Sequence, residues 1–176
     1  VIPVVLTVVA WPLSVDANDF ISRTVPYLGE ARDYYNSSIA GNGAYFGVQP
    51  WLVLVLRVAF VLMAIFCLWF LYKHYRRTDE LLWAATSSGV LLATSFLVFS
   101  LGQGYYSMML FPLLMTVVRP GSVMRNWPAW LGVVGCMTFD SFISKRFAAF
   151  GRMLEYNKVT WGWSLLMIAV FCVLLF

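Results

Sequence analysis

The stretch Trp51-Leu-Val-Leu-Val-Leu-Arg57-Val-Ala-Phe-Val-Leu-Met-Ala-Ile-Phe-Cys67-Leu-Trp-Phe-Leu-Tyr72 is uncharged from end to end except at Arg57. About 20 apolar residues wound into a helix cross the roughly 30 Å hydrocarbon core of a bilayer, and this run is long enough. It reads as a full membrane span. Lys73, His74, Tyr75, Arg76 and Arg77 follow directly, and the positive-inside rule places that basic segment in the cytoplasm.

The composition of the whole chain agrees with a membrane protein. Of 176 residues, 61% are hydrophobic, 18% aromatic and only 11% charged, with a net charge of +4. A soluble domain has about 45–50% apolar and about 25% charged residues, so these residues cannot cover a water-facing surface. The same numbers exclude disorder. Cys67, Cys136 and Cys172 each lie inside an apolar run, where they read as small hydrophobic residues rather than a disulfide framework. The positive charge is too thinly spread for a nucleic-acid surface.

Working outward from the central span, Leu81 to Leu101 is a second one, softened by Thr86, Ser87 and Ser88. Val1 to Val15 reads as the tail of a helix, and Trp161 to Phe176 as a helix cut off by the chain end. Both ends fall in mid-run, as in a fragment, and nothing precedes Val1 from which a targeting sequence could be read. Gly104 to Val118 and Pro128 to Phe142 are short, and Pro112 is expected to bend the first. The fold class is therefore all-α, a polytopic transmembrane helical bundle.

With Lys73–Arg77 inside, Asp16 to Pro50 is an outer loop, Gly102 to Tyr106 a tight outer turn, and Arg119 to Trp127 an inner turn. Ser144 to Lys158 then falls outside with Lys145, Arg146, Arg152 and Lys158, against the rule. An interfacial amphipathic helix presenting Phe147, Phe150, Met153 and Leu154 to lipid, and its cations to headgroups or an anionic ligand, would account for it. The polar groups gather on the outer side: Asp16, Asn18, Asp19, Arg23, Glu30, Arg32, Asp33, Asn36, Asn42, Gln103, Tyr105, Tyr106 and Asp140.

Arg57 lies about 10 Å into its helix from that side. Ionisable residues in a span cost about 2.5–3.5 kcal/mol on insertion scales and mark a function or a partner. Arg57 reads either as a cation reaching a phosphate at headgroup depth or as a structural charge, paired with Asp140 or snorkelling outward. The Asp16–Pro50 segment is long for a connection, and its aromatics argue against disorder. Aromatic faces beside Asn and Asp suit a sugar; an aromatic belt with glycine turns explains the same residues. Asp16 and Asp19 read as solvated or helix-capping residues. Soluble-enzyme motifs are absent: one histidine, no CxxC, no P-loop, no HExxH, and Gly102-Gln103-Gly104 lacks the third glycine of a dinucleotide site.

Four blocks carry a family resemblance: Asp33-Tyr-Tyr-Asn-Ser-Ser-Ile, Gly41-Asn-Gly-Ala-Tyr-Phe-Gly, Gln103-Gly-Tyr-Tyr-Ser-Met-Met-Leu-Phe-Pro and Arg125-Asn-Trp-Pro-Ala-Trp-Leu-Gly. Over nearly its whole length the chain resembles the C-terminal half of polyprenyl-phosphate-dependent glycosyltransferases of GT-C architecture, family 87, and among them the actinobacterial arabinofuranosyltransferases. The resemblance implies a multi-pass plasma-membrane enzyme with its active side extracytoplasmic. Such an enzyme takes arabinofuranose from decaprenyl-phosphoryl-arabinose and forms α-(1→3) branches on the arabinan of arabinogalactan or lipoarabinomannan. It also implies a catalytic aspartate in a first outer loop upstream of Val1, so residues 1–176 alone would be inactive.

Transfer from a lipid phosphate needs a base for the acceptor hydroxyl and groups that stabilise the departing phosphate, with or without a metal. Arg57, Gln103, Tyr105 and Tyr106 are the donor-phosphate candidates. Arg32, Tyr34, Tyr35, Asn36 and Asn42 are the candidates for holding the sugar or the acceptor. A transporter or lipid-flippase module is the rival reading, but transporters gather their binding groups near the midplane, and here polarity gathers at one face.

Overall fold

Ser38 and Gly47 bracket the first well-packed helix and show how this chain builds its elements. The Ser38 hydroxyl accepts from the Gly41 amide at 3.0 Å, and Gly47 ends the helix at φ 63°, the left-handed position glycine takes without steric cost. The computed structural model describes residues 2–11, 17–33, 35–138 and 147–176, and among them every regular element is helical. The chain divides into two units, Val1–Ala31 and Arg32–Phe176.

In the first unit, α1 (Ile2–Ala10) covers the start of the expected helix tail. Helix α2 (Ala17–Asp19) continues through a π-helical turn, Phe20–Thr24, into α3 (Val25–Gly29), where Pro26 sits in the first turn. Trp11 meets Phe20 edge to face at 5.2 Å. Asp19 approaches Arg23 at 3.8 Å with both side chains largely exposed, a pairing that contributes little.

The second unit begins with α4 (Ile39–Phe46) and α5 (Pro50–His74). Pro50 starts α5 where a missing N–H costs nothing. At 25 residues the helix is about 37 Å long, enough to span a bilayer. Asp79 caps α6 (Glu80–Val98), accepting from the Leu82 amide at 3.0 Å, and its carboxylate also lies 3.7 Å from Arg119. The chain then runs through a 3-10 stretch, Gly104–Leu110, the short α7 (Phe111–Met115) and a 3-10 turn, Thr116–Val118. This segment is expected to be a short bent helix and is instead mostly 3-10. Pro112 can begin an α-turn but cannot donate back into the preceding one. At about 2.0 Å per 3-10 residue, the segment reaches about 27 Å.

Helix α8 (Trp127–Met137) has 11 residues, about 16 Å, and reaches only half-way across a bilayer. Helix α9 (Ala148–Leu175) is one continuous rod of 28 residues. The described part of the expected interfacial helix is thus the first turns of α9, because no proline or paired glycines break the chain there; residues 139–146, with Asp140, Lys145 and Arg146, lie outside the described residues.

Among the described residues, three helical segments are long and apolar enough to cross a membrane: Pro50–His74, Glu80–Val98 and Asn157–Leu175. Their shares buried within the protein are 11%, 44% and 56%, so α9 is the central rod and α5 the peripheral one. The core runs along α9 through Trp163, Leu166, Met167 and Val170, with Leu97, Leu110, Met124 and Ala129 against it, none more than 1% exposed. Helix α8 meets α9 at glycines. A Cβ on Gly162 would stand 2.7 Å from the Gly132 carbonyl oxygen and 2.8 Å from the Cys136 Cβ. Gly162→Ala is therefore expected to destabilise the protein by about 1–3 kcal/mol, the range for overpacking, seen as a lower melting temperature in detergent.

Candidate functional site

Asn36 organises the end of the bundle opposite Lys73–Arg77. It is 2% exposed, and each polar atom of its carboxamide is used twice. Its Nδ2 donates to the carbonyls of Arg32 at 3.0 Å and Ser100 at 2.7 Å; its Oδ1 accepts from the amides of Ser38 at 3.1 Å and Gly102 at 2.9 Å. The Ser37 amide donates to the Gly102 carbonyl at 2.6 Å. These bonds fasten the segment before α4 to the turn after α6. Gly102 is required there: a Cβ would lie 2.5 Å from the Phe96 carbonyl oxygen and 3.1 Å from the Ser38 nitrogen.

Beside this junction is a cavity of about 520 Å³, lined by Tyr35, Asn36, Ser37, Gln103, Tyr105, Ser107, Cys136, Met137, Thr138 and Val159. Tyr35 holds φ 47°, a conformation that costs a non-glycine residue about 1–3 kcal/mol and that clusters at functional sites. Its ring is 74% exposed. Ser107 is fixed by the indole N–H of fully buried Trp163, which donates to its Oγ at 2.9 Å. The cavity therefore has a hydrogen-bonded floor and exposed phenol-bearing walls, suited to a ligand with an apolar body and hydroxyl or phosphate oxygens.

The structure sorts the sequence-predicted residues. Tyr35, Asn36, Gln103 and Tyr105 converge on this cavity. Arg32 is half-buried next to it in sequence, and its carbonyl holds Asn36. Asn42 lines a second cavity of about 430 Å³ between α4, α5 and α9. Arg57 is half-buried and among the lining residues of neither cavity. The two ion pairs among the described residues are Asp19–Arg23 and Asp79–Arg119, and neither includes it. Tyr34, Asp16 and Asp140 lie outside the described residues. Among the described residues, no group of three or more His, Cys, Asp or Glu side chains could hold a metal ion.

Tyr105 and Tyr106, adjacent and treated alike by sequence, have different surroundings. Tyr105 is 62% exposed and lines the cavity; Tyr106 stacks on Phe96 with ring centroids 5.4 Å apart. The hydrogen bond with Tyr105, then burial, holds the Tyr106 phenol above its ordinary pKa. Tyr105→Phe is expected to reduce function with the fold intact, and Tyr106→Phe to leave both nearly unchanged. Parallel activity and melting measurements on the two variants check this.

Sequence reasoning did not single out a buried cation beside the cavity. Lys158 on α9 is only 6% exposed, and its Nζ donates to the Thr138 carbonyl at 2.6 Å. Thr138 and Val159, its partner and its chain neighbour, both line the cavity. In sequence, Lys158 is one of several cations expected to face headgroups or an anionic ligand. The signal that sets it apart is its spacing from Trp161 and Gly162, which puts it where α9 enters the bundle.

A sequence model of glycosyltransferase family 87 matches residues 1–100. The chain is 57% identical over 175 residues to an α-(1→3)-arabinofuranosyltransferase of Mycolicibacterium smegmatis, covering 99% of this chain and 41% of that protein. It is 58% identical over 176 residues to the protein of that name from Mycobacterium tuberculosis, covering 100% and 41%. It is 40% identical over 169 residues to that from Corynebacterium glutamicum, covering 96% and 40%. The chain thus spans about two-fifths of the length of the curated relatives it matches. No solved structure matches it.

Proposed function

The chain belongs to glycosyltransferase family 87, and from that premise we propose that it forms the donor-lipid and acceptor side of a membrane arabinofuranosyltransferase. The reaction moves arabinofuranose from decaprenyl-phosphoryl-arabinose to cell-wall arabinan of arabinogalactan or lipoarabinomannan, forming α-(1→3) branches on the outer side of the plasma membrane. The observation that carries this reading is the convergence of Tyr35, Gln103 and Tyr105 on one cavity at the end of the bundle opposite the basic Lys73–Arg77 segment.

An acceptor hydroxyl attacks the anomeric carbon, the bond from that carbon to the phosphate oxygen breaks, and a base takes the hydroxyl proton. The base is expected in a first outer loop upstream of Val1. The residues of this chain act on the leaving group and the sugar. The Tyr105 phenol and the Gln103 amide donate to phosphate oxygens as charge gathers on them, contributions that strengthen in the transition state. Lys158 adds positive potential from behind Thr138. The Tyr35 ring offers a face to the sugar's C–H groups, and its phenol stays in the wetter part of the cavity. Asn36 holds the two walls in place.

Incubating full-length protein in phosphatidylcholine nanodiscs with radiolabelled decaprenyl-phosphoryl-arabinose and a synthetic arabinan acceptor tests the reading. Label in the acceptor is expected, and its loss in Tyr105→Phe by about tenfold or more. Movement of the lipid between leaflets in vesicles without sugar transfer would instead make the protein a flippase.

A further inference from the structure

The cations that follow α5 are held by rings rather than by carboxylates. Arg76 Nη1 donates to the Tyr72 phenol, and its Cζ lies 4.8 Å from the Tyr72 ring centroid and 6.0 Å from that of Trp83 on α6. Lys73 Nζ lies 5.2 Å from the centroid of the Trp69 ring. Both oxygens of Asp79 are engaged elsewhere, one on the Leu82 amide at 3.0 Å and one 3.7 Å from Arg119. Glu80 is exposed, and neither it nor Lys73, Arg76 or Arg77 belongs to an ion pair among the described residues. Rings orient a guanidinium without using most of its five N–H donors. Its planar fork matches two oxygens of a phosphate.

The helix below these cations says what brings the phosphate. Leu62, Ile65, Trp69 and Tyr72 follow one another at three- and four-residue spacing, and Arg76 continues the series just past the end of α5. All five are exposed. From Leu62 to Tyr72 the face rises about 15 Å, half the roughly 30 Å hydrocarbon core of a bilayer. One leaflet's acyl chains therefore match Leu62 and Ile65, the interface matches Trp69 and Tyr72, and the headgroup phosphates match Lys73 and Arg76.

We propose that Arg76 and Lys73 bind the phosphate of an anionic phospholipid whose acyl chain lies along Leu62 and Ile65. Phosphatidylcholine is held less well, because its choline brings a third positive charge to this cluster. None of these residues lines either cavity, so the site stands independently of the transferase reading.

Native mass spectrometry tests it, on full-length protein stripped of lipid in a neutral detergent and titrated with dioleoylphosphatidylglycerol or dioleoylphosphatidylcholine. Phosphatidylglycerol is expected to bind more tightly by about fivefold or more, the contribution of one cation at a membrane surface, and Arg76→Gln to lose that preference. Arg76→Lys keeps the charge without the fork and should keep part of it. Arg77→Gln removes the same charge from outside the ring-held pair and should leave the preference intact. The proposal is overturned by equal binding of the two lipids, by a preference that survives in Arg76→Gln, or by equal losses in Arg76→Gln and Arg77→Gln, which would reduce the site to a diffuse positive field. Displacement of the lipid by equimolar glycerol 1-phosphate would overturn it in favour of a soluble phosphate. Binding of neither lipid would also overturn it, and closure of Arg76 to phenylglyoxal in that case would put another part of the protein on this face.

Discussion

Asn36→Leu is expected to cost the protein most of its stability in detergent. Leucine is close in size, so the loss comes from hydrogen bonds rather than volume. The amides of Ser38 and Gly102 lose their acceptor, and the carbonyls of Arg32 and Ser100 lose a donor. Leaving a buried polar group unpaired costs about 1–3 kcal/mol, so the two amides alone account for about 2–6 kcal/mol. Asn36→Asp keeps both acceptor bonds but sets a carboxylate against two carbonyl oxygens, and should also destabilise. Thermal melting followed by size-exclusion chromatography measures both. A folded Asn36→Leu protein that had lost only activity would place Asn36 on the ligand instead of on the backbone.

Lys158→Met is the second large effect, and it is expected in catalysis. Methionine keeps most of the side-chain volume and removes the charge, at the cost of leaving the Thr138 carbonyl without its Nζ donor. If Lys158 supplies positive potential to the departing phosphate, sugar transfer should fall by about 10–100-fold, somewhat less than for a donor in direct contact. The fall should appear in kcat more than in KM, because the charge matters most as the bond breaks. Arg57→Met should keep the fold and lose about twofold or less, since Arg57 is among the lining residues of neither cavity. The reverse order, with Arg57→Met losing transfer and Lys158→Met retaining it, would move the phosphate to the α5 side.

What could be read from sequence follows from how local each signal is. The long apolar runs became α5, α6 and α9 because a span is encoded residue by residue. The Gly104–Val118 segment was not legible in the same way. Its 3-10 geometry comes from packing between α6 and α8 around a proline, and hydropathy does not carry that information. Within the supposed outer loop, Ser38 and Gly47 are cap residues at the right spacing, and reading them as caps would have found α4. The resemblance blocks could not separate Asn36, whose amide is spent on backbone, from Tyr35 beside it, whose side chain is exposed at the cavity. The unpaired oxygen of Asn42 was out of reach, because the burial and partnership of that side chain depend on residues more than a hundred positions apart, as between Asn42 and Thr160.

The central claim is that the reacting end of the lipid donor sits in the cavity between Tyr35–Asn36 and Gln103–Tyr105. Photo-crosslinking with a polyprenyl-phosphoryl-arabinose analogue bearing a diazirine on the isoprene unit next to the phosphate tests it most directly. The account predicts adducts on residues 103–111 or 136–138 that unlabelled donor competes away. Competable adducts confined to the second cavity or to the Lys73–Arg77 end would contradict it.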